Sequence, residues 1–344
     1  NKEAHLFTVK NALLYVPARP LMLKEKGFLG ESYYTAPNPE FGAVFTYYLK
    51  ESFKTLKEKR QEKEKELEKE KKDIPYPTFE EIRAEDTEPR PYLLLMVKNE
   101  KGEVVRRLKA EPSKGLKRVA WDLRYAPTSA TSLKSHDISD PFAEPEVGHF
   151  VVPGTYSVQL YKVEQEIATP ITDIQTFKVI PLNNATFVAQ DKEKVHAIYE
   201  QIAELKRQVD ITIKFSDDLN NRITYLKTAL VNTPKADIQW LAQLENIQKT
   251  HNMLRITLLG DASLARRNFE TPPSIYSRVE NTLYGTWFNT QEPTQTQIQS
   301  YTIAREELEQ IITKIKELES QLKQIEIQME NSKAPWTPYR YPER

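Results

Sequence analysis

The chain has 344 residues, with 49 Lys and Arg against 49 Asp and Glu, 28% charged residues, 9 Gly and no Cys. That length accommodates two domains with cores of their own, and a net charge of zero gives no global electrostatic reason to bind nucleic acid or an anionic membrane. The absence of Cys excludes disulfides, thiolate metal sites and Cys nucleophiles, and the longest wholly apolar run, Leu93 to Val97, falls far below the roughly 20 residues of a membrane helix.

Residues Asn1 to Lys50 carry short aromatic and β-branched runs punctuated by proline, "HLFTVKNALLYVPARP" and "YYTAPNPEFGAVFTYYL", which read as strands. The first run looks like the end of something that begins upstream. Lys57 to Lys72, "KEKRQEKEKELEKEKK", is almost entirely charged, with opposite signs at helical spacing in Arg60/Glu64 and Glu68/Lys72. Its few apolar positions, Phe53, Leu56 and Leu67, predict a solvated helical arm. "YPTFEEIRAED" adds a second helix, with Thr78 and Glu81 as a capping box. Residues 51–88 thus form a helical insertion between strands.

Alternation resumes after it. Tyr92 to Lys98 is a strand, Asn99 to Gly102 a turn, and Val104 to Leu108 the return strand. In "KRVAWDLRY", Val119, Trp121, Leu123 and Tyr125 fall on one face, with Arg118, Asp122 and Arg124 on the other. Ala126 to Gly148 reads as a long loop. "GTYSVQLYKV" and "TDIQTFKVIPL" complete a set of short strands with polar turns, which predicts an immunoglobulin-like antiparallel β-sandwich over residues 21–182.

Beyond Asn183 the apolar period lengthens from two to about 3.5. Asp191 caps a helix with apolar positions from Val195 to Leu230, ended by Pro234; a second helix runs from Asp237 to Leu259. "TPPSIYSRVENTLYG" gives a third, capped by Thr271 with Pro272 in its first turn, and Thr294 with Gln297 opens a fourth. In the fourth, Tyr301, Ala304, Leu308, Ile311, Ile315, Leu318, Leu322, Ile325 and Met329 keep strict 3–4 spacing, which predicts coiled-coil-like packing. The class is therefore multidomain α+β: a sandwich, then an antiparallel helical bundle over 185–331 and an extended tail over 332–344. A seam shared between two chains is the alternative to a bundle closed within one.

No catalytic constellation stands out. His5, His136, His149, His196 and His251 show no metal-binding spacing, and there is no glycine-rich phosphate loop. The reading therefore assigns no catalytic, cofactor or metal residues. Candidate interaction residues are Tyr33, Tyr34, Tyr47 and Tyr48, which could stack on carbohydrate, although core and rim packing of sandwich strands is the preferred reading. Asp261, Arg266 and Arg267, between two helices, are either a partner-binding corner or an ionic network fixing the connection. Trp336 in the aromatic tail completes the set.

"YVPARP", "SYYTAPNPEFGAVFTYYLKE", "YPTFEEIRAED", "VAWDLRY", "VVPGTYSVQL" and "APWTPYRYPE", taken in order, resemble the C-terminal region of bacterial proteins with a sortilin/Vps10-like BNR-repeat β-propeller, often labelled glycosyl-hydrolase-like. The resemblance implies an exported, extracytoplasmic protein with the propeller upstream and residues 1–20 as the chain leaving it. It implies protein partners, while the balanced charge and the lack of cofactor motifs lead to the expectation of no nucleic acid and no cofactor. No catalytic residue of that family maps onto this stretch. The function expected from it is non-catalytic interaction and scaffolding; the alternative is a carbohydrate-contacting accessory module.

Overall fold

The computed structural model describes residues 3–17, 32, 34, 36, 38–133, 146–182, 187 and 189–341. Among these the fold is mixed α+β, with two sheets and seven helices. It divides into two compact units: residues 1–126 with 138–186 carry the sheets, and residues 127–137 with 187–344 carry the long helices.

In the sheet unit, β1 (Ala4–Leu6), β3 (Ala43–Leu49) and β6 (Gly115–Trp121) form a three-stranded antiparallel sheet in the order β1-β3-β6. The larger sheet runs β2-β9-β7-β4-β5, built from β2 (Ala12–Leu14), β4 (Tyr92–Lys98), β5 (Val104–Ala110), β7 (Gly154–Glu164) and β9 (Gln175–Pro181), with β8 (Ile167–Pro170) paired to β7. Its pairs are antiparallel except β2 with β9, which is parallel. Residues 4–6 and 12–14 fall within the run that reads as strand in the sequence, and both are ladder strands here.

Strand alternation sends Phe45, Tyr47, Leu93, Leu95, Val97, Val158 and Leu160 inward, where one apolar core takes residues from both sheets. Trp121 is its aromatic centre, packing edge-on against Tyr156 at 5.5 Å and Phe177 at 6.2 Å between ring centroids. The alternation of "VAWDLRY" stops at that residue. Leu123 turns to φ 56°, the Asp122 carboxylate accepts the Arg124 amide, and the Trp121 indole donates to the Arg124 carbonyl at 2.9 Å. The strand expected to reach Tyr125 therefore ends at Trp121 and restarts as a single bridge between Arg124 and Phe150. Gly42, at φ 100°, allows the close approach beside it, since a Cβ there would stand 1.9 Å from the Trp121 carbonyl oxygen.

Between β3 and β4 lies the predicted insertion: α1 (Leu56–Lys69) and α2 (Phe79–Thr87), each opened by a complete capping box, Thr55/Glu58 and Thr78/Glu81. Of the two charge pairs expected at helical spacing, Arg60 and Glu64 meet. The Glu68/Lys72 pairing is lost because α1 ends at Lys69, and Lys72 pairs with Glu70 instead.

The helical unit holds α3 (Lys192–Val231), α4 (Gln239–Leu259), α5 (Ala262–Ala265), α6 (Ile275–Trp287) and α7 (Gln295–Asn331). Asp191 caps α3 through the Lys194 amide, and Thr294 with Gln297 forms the capping box of α7. Residues 127–133 group with this unit, where the Thr128 hydroxyl donates to the Ala203 carbonyl at 3.1 Å. The cap of α6 is Ser274, not Thr271, its hydroxyl accepting the Ser277 amide; the two prolines at 272 and 273 stay outside the helix. The α7 seam from Ala304 to Met329 is buried, and it shares one core with Leu219, Ile223 and Leu226 of α3, Leu254 and Leu258 of α4 and Val279 of α6. Helices of the same chain cover it. No helix among the described residues is long and apolar enough to cross a membrane.

Candidate interaction surfaces

The arm adds no residue to the core of the sheet unit. Neither α1 nor α2 buries a single residue, so burial of apolar surface does not hold them. Polar links do. The Arg60 guanidinium reaches across to Glu85 with two hydrogen bonds of 2.6 and 2.8 Å and also pairs with Glu64. The Glu85 bond, then the Glu64 bond, holds Arg60 above its ordinary pKa, and the Arg60 bond holds Glu85 below its own. At the base, Glu88 accepts the Leu56 amide at 2.6 Å and Arg90 meets Glu58 at 3.2 Å. The tip is apolar and open: Ile74 is 44% exposed, Tyr76 98%, Phe79 79% and Ile82 40%. A pair of helices that is capped and cross-linked, yet displays its large apolar side chains, has the makings of a contact surface.

Beside the start of α1 a groove of about 780 Å³ is lined by Phe53, Lys54, Arg90, Tyr92, Lys109 and Glu111, among others. Three of the four cations lining it are engaged: Lys54 with Glu62 at 2.6 Å, Arg90 with Glu58, and Lys109 over the Tyr92 ring at 5.4 Å.

The candidate tyrosines separate. Tyr33 lies outside the described residues. Tyr34 is 86% exposed. Tyr47 leaves the candidate surface: it points inward from β3 and is fully buried, with its hydroxyl donating to the Glu111 carbonyl at 2.9 Å. The same alternation turns its neighbour Tyr48 outward, 37% exposed, in register with His5 of β1 and Leu116 of β6. Phe7, stacked edge-on with His5 at 4.6 Å, completes an exposed aromatic face on the small sheet.

Asp261, Arg266 and Arg267 form neither an interhelical charge network nor a charge cluster. The Asp261 carboxylate caps α5 through the Ser263 and Leu264 amides, while Arg266 and Arg267 donate to the Ala262 and Ser263 carbonyls of that same turn. All three are spent on local backbone. Trp336 exposes much of its ring, but its indole donates to the Arg340 carbonyl at 2.8 Å. The tail is therefore a closed loop, not an extended one: Arg340 is buried and donates back to the Ala334 and Pro335 carbonyls.

The helical unit also holds two buried polar clusters. Arg222 of α3 makes two hydrogen bonds of 2.9 Å to Glu326 of α7, with Glu319 at 3.6 Å. Burial opposes its charge, but Glu326 and Glu319 outweigh burial and hold its pKa above the ordinary value. Both partners stand on the apolar stripes, Arg222 three residues after Leu219 and Glu326 four after Leu322; opposite charges at facing seam positions were the available signal. Ser216 of α3 and His251 of α4 also meet, hydroxyl to Nε2, at 2.9 Å. This resembles a nucleophile and its base, but both are sealed from solvent, Arg255 donates to the same hydroxyl, and no described partner reaches the buried Nδ1. Burial, then the Arg255 charge, lowers the pKa of His251 and keeps it neutral. The cluster locks two helices together; it offers no substrate a path.

Among the described residues no group of His, Asp and Glu side chains is placed to hold a metal ion. Comparison with protein-family models, with curated proteins and with solved structures found no match.

Proposed function

We propose that this chain is a non-catalytic interaction and scaffolding region, the role implied by its resemblance to the C-terminal region of exported sortilin/Vps10-like β-propeller proteins. The observation that carries the reading is the arm: two helices that add no residue to the apolar core, are fixed by caps and ion pairs, and hold Tyr76 and Phe79 out in solvent. Side chains that elsewhere would carry chemistry point the same way, since the Ser216–His251 pair is sealed and the Asp261 corner is locally satisfied. On this reading the two sheets act as an immunoglobulin-like sandwich packed against an upstream propeller, α3, α4, α6 and α7 form an antiparallel bundle, and the protein works outside the cytoplasm.

The second reading, a carbohydrate-contacting accessory module, draws on the exposed rings of Tyr34 and Tyr48. Affinity electrophoresis through gels of several polysaccharides separates the two. Scaffolding predicts unretarded migration in every gel. A band slowed by one polysaccharide and released by Tyr34→Ala with Tyr48→Ala would sink it.

A further inference from the structure

The link between α1 and α2 contains the run Asp73-Ile74-Pro75-Tyr76-Pro77-Thr78. Its two prolines hold their own φ at about −65°. They also bar the helical region to Ile74 and Tyr76, the residues before them. Thr78 stands at φ −70° and ψ 161°, close to the polyproline II values of about −75° and 145°. Residues 73–78 run without a turn or bend. No backbone group of residues 73–77 is hydrogen-bonded to another described residue. An extended run with no ladder partner, its φ angles fixed by proline, has the form of a polyproline II helix.

We propose that Ile74 to Thr78 is a polyproline II ligand, displayed for a protein whose groove is lined by aromatic rings. The inference rests on reading the arm as a contact surface and adds the kind of partner it fits. Ile74-Pro75 and Tyr76-Pro77 present an apolar side chain followed by a proline ring, twice in succession. Aromatic-lined grooves accept ridges of this form. Ile74 is 44% exposed and Tyr76 98%. A polyproline II helix repeats every three residues, so Phe79, 79% exposed, follows Tyr76 on the same edge and extends the apolar contact. The carbonyls of the segment are free to accept hydrogen bonds from the groove. Its conformation is set before binding, by the prolines and by the capped helices on either side, so little ordering entropy is lost on docking. The charge around it is mixed, Lys71 and Asp73 before it and Glu80 and Arg83 after it. Shape and backbone therefore carry the recognition, and net charge does not.

Titration of the full chain into isotopically labelled, purified SH3 and WW domains, read by NMR, tests this, with circular dichroism to verify folding of every variant. The expected result is that at least one domain binds, with its shifted resonances confined to the aromatic groove. Pro75→Ala combined with Pro77→Ala should weaken that binding about tenfold or more, and so should Tyr76→Ala. A free polyproline peptide should displace the chain from the same groove. The three residues lie outside the apolar core, so these changes leave the fold intact. No binding by any domain at about millimolar concentration overturns the proposal, as does binding indifferent to the three substitutions. Either outcome leaves the scaffolding reading to its own test on polysaccharide gels, and a retarded band there sinks that reading while groove binding still stands.

Discussion

The arm and the long helices begin in the same way and end differently. α1 and α2 open with Thr capping boxes, as α7 does, and all are rich in charge. Yet α3 buries fourteen residues and α7 nine, while the arm buries none. Capping and ion pairs can define a helix; only a continuous apolar stripe makes it part of a core. The arm is local order displayed to solvent, and the long helices are the structure that holds the unit together.

The most severe way to sharpen that contrast is to break the buried pair. Arg222→Ala leaves Glu326 charged, buried and alone, and should cost about 3–5 kcal/mol, read from urea unfolding of the full chain. Leu322→Ala, at a fully buried seam position, should cost about 3 kcal/mol by the same measurement. Next comes pH. His251 has a folded pKa below its ordinary 6.5, so the unfolded chain binds the extra proton. Its contribution to stability is complete above pH 6.5 and is lost as the pH falls below it toward the folded value. Urea midpoints should therefore drop between pH 7 and pH 5, and His251→Leu should flatten that slope. The smallest effect belongs to the arm: Thr78→Ala should cost about 1 kcal/mol of α2 stability, visible as faster amide exchange within 79–87 and invisible in the urea midpoint of the whole chain.

Much of this division is legible in the sequence, because periodicity and caps are local. The change from period two to period 3.5 near Asn183, the 3–4 spacing of α7 and the Thr78 and Thr294 caps all appear in the structure. What escaped depends on residues distant in the chain. Tyr47 and Tyr48 look alike as a pair, and only the register of β3 against β1 and β6 decides which ring is buried. "WDLRY" keeps its alternation in letters, but the indole of Trp121 captures the Arg124 carbonyl and bends the backbone. The tail reads as extended because its prolines are local signals, whereas Arg340 folds it back onto Ala334. The Ser216–His251 and Arg222–Glu326 contacts join residues 35 and 104 positions apart, and only the second leaves a local trace, a charge set into each of two apolar stripes.

The central claim is that the arm is built for contact and contributes nothing to the core. Amide hydrogen exchange on the full chain, followed by mass spectrometry, tests it most directly. The account predicts that residues 56–87 exchange far faster than α3 and α7. An arm protected like α7 would contradict it.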